Sequence, residues 1–194
     1  MGAHHPSSLH ARTMVATRVL ADVRRRFSGA RALVGDALAP STATAILEQI
    51  VACADLKQWP VDSGTLSAGI DVYVVMASGI YEYDRVSRLL YSVSRKDIRA
   101  RMASLDDGAQ APMHLVYVGR TGHGGRISAN DAMVLSAINA VTLCDAVHRF
   151  CMAKRLLTAV RSWLDSQTLA RSIGLPQDRQ ILLVQSIGYP AGSA

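Results

Sequence analysis

The segment that begins at Ser128 and reaches about Lys154 constrains the fold of this chain more than any other. Ser128 and Asp131 form a Ser-x-x-Asp start signal for a helix. Apolar side chains then cover most of the helix circumference: Met133, Val134, Leu135, Ile138, Val141, Leu143, Val147, Phe150 and Cys151. A helix that is apolar nearly all round is typical of a core or a subunit interface. One small domain struggles to bury such a helix, so we expect a homodimer.

The remaining segments mix helical and extended patterns. Helices are predicted over 14–27, from Pro40 onward, in a short segment that Ser94 begins with Asp97 as its capping acid, and over 166–173 between Asp165 and Gly174. Strands are predicted over 70–76, 80–83, 113–118, 156–163 and 180–187. Helices come first, and strands mixed with helices follow. This order indicates an α+β layer fold rather than a regular βαβ repeat.

Length and composition are those of one globular domain. The chain has 194 residues, of which 49% are hydrophobic and 19% charged, and it contains no visible internal repeat. We expect a single domain over 14–194, preceded by a disordered leader over 1–13. His4, His5 and His10 lie in that leader, beside Ser, Pro and Gly, and we expect a tail there rather than a metal site.

The three cysteines and the apolar runs of the sequence indicate the cellular compartment in which we expect the protein. An odd number of cysteines without paired spacing argues against a disulfide framework and for a reducing, cytoplasmic compartment. The N-terminus does not resemble a signal peptide. Polar residues break the apolar runs before the roughly 20 residues that a bilayer span needs, so no membrane association is expected. Cys144 and Cys151 share a helix face, a spacing typical of packing.

The formal net charge of +6 would suit nucleic acid or a phosphate-bearing ligand. We favour a solvated basic face over specific anion binding, and nucleic-acid binding remains a weaker alternative that only the charge supports. A Gly-rich loop around His123 could cradle a phosphate, but it lacks the lysine and spacing of a P-loop. The positive charge is concentrated in two clusters: Arg24, Arg25, Arg26 and Arg31, and Arg95, Lys96, Arg99 and Arg101.

No hydrolase or zinc motif is present, and no side chain stands out as a catalytic acid or base. His114 lies in a predicted strand and His148 in the long helix. We interpret both as structural histidines, with His148 a polar insertion that an interface satisfies, rather than as proton donors.

Two stretches resemble the nitroreductase superfamily. The first pairs the strand IDVYVV at 70–75 with GIYEYD at 79–84. The second contains the long helix, then TAVRSWLD at 158–165, LARSIGL at 169–175 and QSIGYP at 185–190. Their order and spacing are similar to the branch that includes the thiazole- and oxazole-forming peptide dehydrogenases, and the resemblance spans most of residues 14–190.

The resemblance implies a central, mainly antiparallel sheet flanked by helices, with the long helix at a dimer interface. It also implies an oxidoreductase that binds FMN between two subunits. Such an enzyme transfers two electrons between a nicotinamide cofactor, NADH or NADPH, and a small organic or peptide-derived substrate. The isoalloxazine ring carries the redox chemistry, and the protein supplies position and electrostatics.

The family's flavin contacts map onto three segments of this chain. Its phosphate-binding Arg-Arg-Ser-x-Arg segment resembles the run at 24–31, which implies phosphate contacts from Arg25, Arg26 and Ser28; an exposed basic helix end is the alternative. The loop that approaches the ring places Ser63 and Gly64 beside it. The segment whose backbone donates to the reactive flavin nitrogen falls on Arg161 and Ser162.

Several positions depart from the family pattern. Leu66 stands where the loop carries an amide side chain, and Asp145 and Ala146 stand near the family's Gln-Asn pair on the long helix. An apolar side chain cannot hydrogen-bond the ring, and a carboxylate would bring negative charge near reduced flavin. These departures motivate a second hypothesis: a nitroreductase-like binding or assembly protein without redox activity.

Overall fold

The computed structural model describes residues 33–34, 37–55, 70–103, 111–120, 129–161 and 166–190. Within these ranges the chain forms four helices and seven strands. The helices are α1 (Pro40–Asp55), α2 (Arg99–Ala103), α3 (Ala129–Ala153) and α4 (Ser166–Ile173). The strands are β1 (Leu33–Val34), β2 (Ile70–Met76), β3 (Gly79–Asp84), β4 (Leu89–Ser94), β5 (Met113–Arg120), β6 (Leu157–Arg161) and β7 (Arg179–Pro190). The leader over 1–13 and the helix predicted over 14–27 lie outside the described residues.

All strand pairs are antiparallel. The strand order is β1-β7-β5-β2-β3-β4, and β6 also pairs with β7. Strand β5 pairs with β2 on one side and with β7 on the other, and every residue of β5 except Arg120 is buried. The expectation of an antiparallel sheet flanked by helices is therefore confirmed.

Helices cover both faces of this sheet. Because side chains alternate along a strand, Leu115 and Tyr117 of β5 face helices α1 and α3, while Val116 and Val118 face the layer that contains α2 and α4. Burial on both faces explains why β7 is a nearly continuous apolar run in sequence.

Helix α3 packs on the sheet and on α1 through one apolar side. Leu143, Cys144, Val147 and Cys151 are fully buried there. By length and composition alone, Ala132–Ala153 could cross a bilayer. In this fold the side of the helix that carries these buried residues packs in the protein core, which explains why that side is apolar.

The two cysteines of α3 contribute packing rather than reactivity. Burial raises the pKa of the Cys151 thiol to about 12 and raises the pKa of the Cys144 thiol further still. Because the thiolate is the reactive form, both side chains behave as small apolar groups. Their predicted placement on one helix face is confirmed.

Sequence analysis did not predict strand β4. It follows a turn in which Asp84 accepts hydrogen bonds from the Val86 amide at 2.9 Å and the Ser87 hydroxyl at 2.7 Å. Leu89, Tyr91 and Val93 would ordinarily mark a buried strand face, but here they are exposed. Among the described strands β4 pairs with β3 alone. Its alternate residues Leu89, Tyr91 and Val93 carry the apolar pattern of a strand, but no strand was predicted there.

The helix predicted to begin at Ser94 begins later. Ser94 is the last residue of β4, and α2 starts at Arg99, where the backbone amide donates to Asp97 Oδ1 at 3.0 Å. Ser94 is held in the sheet by the hairpin next to it. A Cβ at Gly79, whose φ is 137°, would lie 2.3 Å from the Ser94 carbonyl oxygen. Only glycine fits at this position of the turn between β2 and β3.

A buried polar chain connects the sheet to α3. Tyr117 donates its hydroxyl to Gln185 Oε1 at 2.7 Å, and Gln185 Nε2 donates to the Cys144 carbonyl at 3.1 Å. Both side chains are fully buried. These bonds satisfy polar atoms whose desolvation would otherwise be costly, and they set the position of α3 against β5 and β7.

We expect Tyr117→Phe to lower the free energy of unfolding by about 1–3 kcal/mol, because it leaves the Gln185 amide oxygen buried without its donor. Urea unfolding followed by circular dichroism measures the change. The same substitution on the exposed edge strand, Tyr91→Phe, is the control and should change stability by less than about 0.5 kcal/mol. Equal effects of the two substitutions would contradict a stabilising role for the buried chain.

Candidate functional site

The structure describes one of the seven predicted flavin contacts. Arg161 is the last residue of β6 and pairs with Val184 of β7. The other six lie outside the described residues, as does Leu66: Arg25, Arg26, Ser28, Ser63, Gly64 and Ser162. Their roles therefore stay predictions.

The Arg161 side chain is half-buried on the α2 side of the sheet. Its Nη1 donates to the Met102 carbonyl of α2 at 2.7 Å, and its neighbour Val160 faces the opposite side, in the core with α3. The contact joins the end of β6 to α2 and holds a guanidinium over the sheet. The guanidinium contacts α2, so the flavin contact that the resemblance implies at residue 161 would come from the backbone and not from this side chain.

His114 is a buried polar residue on the same face. It lies on β5, opposite Val75 of β2 and Ser186 of β7, and it is fully buried. Its Nδ1 is 2.9 Å from Ser186 Oγ, whereas its Nε2 has no hydrogen-bond partner within the part of the chain that the structure describes. A buried polar atom without a partner carries a desolvation cost of about 1–3 kcal/mol.

The electrostatic surroundings keep the His114 ring neutral. Burial lowers the pKa of His114 to about 3, helped by the positive charges of Arg161 and Arg99, and Asp97 opposes the change only weakly. A neutral ring has one N–H donor and one acceptor nitrogen. Since the Ser186 hydroxyl can either donate or accept, Nε2 is able to give or receive one hydrogen bond on the α2 side of the sheet.

Sequence analysis interpreted His114 as structural, and no signal in the sequence distinguishes it from a core histidine. Its partner Ser186 is 72 residues away in the chain, and the two are brought together by the pairing of β5 with β7. The polar pair can be recognised only after that register is known.

Asp145 and Ala146 lie on α3, across the sheet from Arg161 and His114. The Asp145 carboxylate pairs with Arg149 at 3.2 Å along the helix. Asp145 and Arg149 also affect the Cys53 thiol of α1. Burial is the main cause of its raised pKa; the positive charge of Arg149 lowers that pKa, and the negative charge of Asp145 raises it. The negative charge at Asp145 is therefore partly balanced within α3. The two parts of the predicted flavin site stand on opposite sides of the sheet of one chain.

His148 joins α3 to β6. Its Nδ1 is 2.6 Å from the Thr158 hydroxyl, and burial lowers its pKa. The prediction was of a polar insertion satisfied at an interface. Here the contact that satisfies the ring lies between two elements of the same chain.

A second polar feature is a surface cleft between α2 and α4, which we call the α2–α4 cleft. Its volume is about 670 Å³. Arg161, the one predicted flavin contact that the structure describes, is not among its lining residues. Its polar lining consists of Lys96, Asp97, Arg101, Thr168, Arg171 and Ser172.

The architecture matches solved structures from several bacteria. A Ralstonia eutropha protein assigned as a nitroreductase superposes with a TM-score of 0.73 at 25% identity, covering 89% of this chain and 83% of that one. Nitroreductase A from Vibrio parahaemolyticus gives a TM-score of 0.59 at 13% identity, covering 89% and 68%. This chain has the nitroreductase fold. The antiparallel sheet, its flanking helices and the long apolar helix all agree with that expectation.

A chain of the Escherichia coli microcin synthetase McbBCD complex, solved with truncated pro-MccB17 bound, is also similar. The TM-score is 0.64 at 18% identity, covering 84% of this chain and 71% of that one. No family model and no curated protein matches the sequence, so the likeness is detected through structure. The resemblance to nitroreductase-family proteins that the motifs predicted is confirmed at this level.

The buried state of His114 leads to a prediction about acid stability. Its pKa is 6.5 in an exposed setting and about 3 in the fold, so between these values the unfolded chain binds a proton that the folded chain does not. The free energy of unfolding should therefore fall as pH decreases from about 6.5 toward 3, by up to about 1.4 kcal/mol per pH unit from this residue.

His114→Gln removes the titrating group, and its stability should fall less steeply over the same pH range. Ser186→Ala is the control, because it removes the hydrogen bond but keeps the buried ring and hence the steep dependence. Urea unfolding at pH steps between 7 and 4 measures the slopes. Identical slopes for the wild type and His114→Gln would show that the ring is not held neutral.

Proposed function

We propose that this protein is an FMN-dependent oxidoreductase that transfers two electrons to or from a small organic or peptide-derived substrate. The observation that carries the proposal is the nitroreductase fold, matched over 89% of this chain at 25% identity by a protein assigned as a nitroreductase. When bound, FMN would supply the redox chemistry through its isoalloxazine ring. The chain itself would bind and orient the flavin and exclude water from it.

The described donors are compatible with a flavin. Arg161 stands where the resemblance puts the reactive edge of the ring, and its guanidinium is held by the Met102 carbonyl. A flavin contact there would come from the backbone and not from this side chain. On the same sheet face, His114 Nε2 is a buried nitrogen without a hydrogen-bond partner among the described residues.

The remaining contacts are proposals from the motif positions. Arg25, Arg26 and Ser28 would hold the phosphate, because guanidinium groups give paired, charge-assisted hydrogen bonds to a dianion. Ser63 and Gly64 would lie beside the ring, and Ser162 would continue the backbone contact of Arg161. NADH or NADPH would be the electron donor.

We also propose a homodimer with the flavin between subunits. Asp145 and Arg161 lie on opposite sides of one sheet, so a cleft that includes both positions needs a second copy. Apolar residues of α3 such as Val134 and Ile138 are only half-buried within one chain, and a partner helix would cover them. The proposed unit is the domain over 14–194, acting in the cytoplasm.

A second candidate is a nitroreductase-like binding or assembly protein without redox activity. Leu66 and Ala146 favour it, because both stand where the family carries polar flavin contacts. Asp145 supports it less strongly, since Arg149 partly balances its charge. The likeness to a chain of the McbBCD synthetase complex is compatible with either a peptide-derived substrate or a role within an assembly.

Addition of FMN to the purified full-length protein separates the two candidates. We expect the protein to retain yellow colour after gel filtration, to melt at a higher temperature with FMN, and to bleach with NADH or NADPH in the absence of oxygen. FMN at 100 times its Kd should stabilise the fold by about 2.7 kcal/mol. Colourless protein with an unchanged Tm would support the inactive binding protein.

The phosphate contacts are tested with a matched pair of double variants. Arg25→Ala with Arg26→Ala should weaken FMN binding by at least about tenfold, because each lost charge-assisted hydrogen bond contributes about 1.5–3 kcal/mol. Lys154→Gln with Arg155→Gln removes the same charge from two exposed residues after α3 and should leave the affinity unchanged. Equal affinities for both double variants would place the phosphate elsewhere.

A further inference from the structure

Strand β6 lies at an edge of the described sheet. Among the described strands it pairs with β7 alone, from Leu157 opposite Gly188 to Arg161 opposite Val184. Strand β7 reaches further, to Arg179, where it pairs with β5. Within the described part of the chain, the end of β6 is therefore joined to the sheet along one edge only. The end of such a strand opens more easily than a central strand, so side-chain contacts contribute more to its position.

Two hydrogen bonds hold β6 from its two faces. On the α3 side, His148 Nδ1 lies 2.6 Å from the Thr158 hydroxyl, near the start of the strand. On the α2 side, Arg161 Nη1 donates to the Met102 carbonyl at 2.7 Å, at the last residue of the strand. Arg161 makes a further interaction as well, so what matters here is the bond to Met102 and not an unpaired charge. This bond is the contact that holds the strand end.

Helix α2 is a firm support for the Arg161 side chain. Ile98, just before the helix, and Met102 are buried in the same core layer as Ile173 of α4. Arg101 Nη1 also donates to Ser172 Oγ of α4 at 3.0 Å. The Met102 carbonyl belongs to the last turn of α2, where carbonyl groups have no partner within the helix. A guanidinium satisfies such a carbonyl with a charge-assisted hydrogen bond.

We propose that Arg161 is a positioning residue for FMN. Its hydrogen bond to the Met102 carbonyl fixes the end of β6, and with it the backbone that would donate to the reactive edge of the flavin. This role rests on the proposed function, because the flavin contact at residues 161 and 162 comes from the family resemblance. The side chain itself would not touch the flavin. A donor has to be held within about 0.5 Å of its working position, and a strand end without its anchor does not meet that requirement.

The first test is a fluorescence titration of the full-length protein with FMN. Arg161→Met keeps a long side chain but cannot donate to the carbonyl. We expect its Kd to be at least about fivefold higher than that of the wild type, because a displaced backbone donor loses roughly one hydrogen bond to the flavin. Arg161→Lys can still donate to Met102 and should restore most of the affinity. Equal Kd values for the wild type and Arg161→Met would overturn the proposal.

The matched control removes the other anchor of the same strand. Thr158→Val loses the hydrogen bond to His148 and should lower the stability of the protein without FMN, as urea unfolding measures it. It should leave the Kd for FMN unchanged, because the bond from Arg161 still holds the strand end. Equal weakening of FMN binding by Thr158→Val and Arg161→Met would show that β6 has only a general structural role, and would overturn the proposal.

Two further measurements separate positioning from the charge of Arg161. In the protein without FMN, the amides of β6 should exchange with deuterium faster in Arg161→Met than in the wild type, and Arg161→Lys should reverse this change. The midpoint potential of bound FMN should also shift in Arg161→Met, since the contact to the reactive edge is altered. Weaker FMN binding with unchanged amide exchange, or with an unchanged potential, would contradict the positioning role.

The wild type gives a measurement that does not depend on the folding of any variant. When FMN is added, amide exchange should slow in α2 together with β6, because the bond from Arg161 joins them. Protection of β6 without α2 would overturn the proposal. Absence of FMN binding by the wild type would overturn the proposed function and this role with it. Binding by the wild type that Arg161→Met matches would overturn this role alone.

Discussion

The pairing of β5 with both β2 and β7 is the constraint on which the rest of the structure depends. An antiparallel strand with neighbours on both sides can satisfy its backbone groups only through that sheet, and burial on both faces requires apolar side chains in both directions. Helices α1 and α3 cover one face, and α2 and α4 cover the other. A shift of the register by one residue would exchange the two faces and place His114 against α3.

The same constraint explains where the polar groups are. On the α3 face, Tyr117, Gln185 and the Cys144 carbonyl form a closed chain whose polar atoms satisfy one another. On the α2 face, His114 and Ser186 form a pair that leaves one imidazole nitrogen without a hydrogen-bond partner among the described residues. A satisfied network stabilises the fold, whereas an unsatisfied polar atom costs free energy.

Much of the fold could be predicted from patterns within single segments. The start signal and apolar run of α3, the stop at Gly174 and the apolar run of β7 are local signals, and each element is present in the structure. Strand β4 was missed although Leu89, Tyr91 and Val93 alternate as they do in a strand, and β1 was missed because two residues are too short to show a period. The start of α2 was placed too early because Ser94 has the side chain of a helix cap while hairpin pairing keeps it in the sheet.

Less of the candidate site than of the fold could be predicted from residue type and order along the chain. The sequence by itself determined most of the helices and strands, the nitroreductase resemblance, and the departures at Leu66, Asp145 and Ala146, because these are properties of neighbouring residues. Only the tertiary structure decided that His114 meets Ser186, that Arg161 is held by α2, and that Lys96 and Arg171 line one cleft. Hydrogen bonds and electrostatic interactions act through space, so contacts between residues far apart in the chain exist only once strand register and helix packing are set.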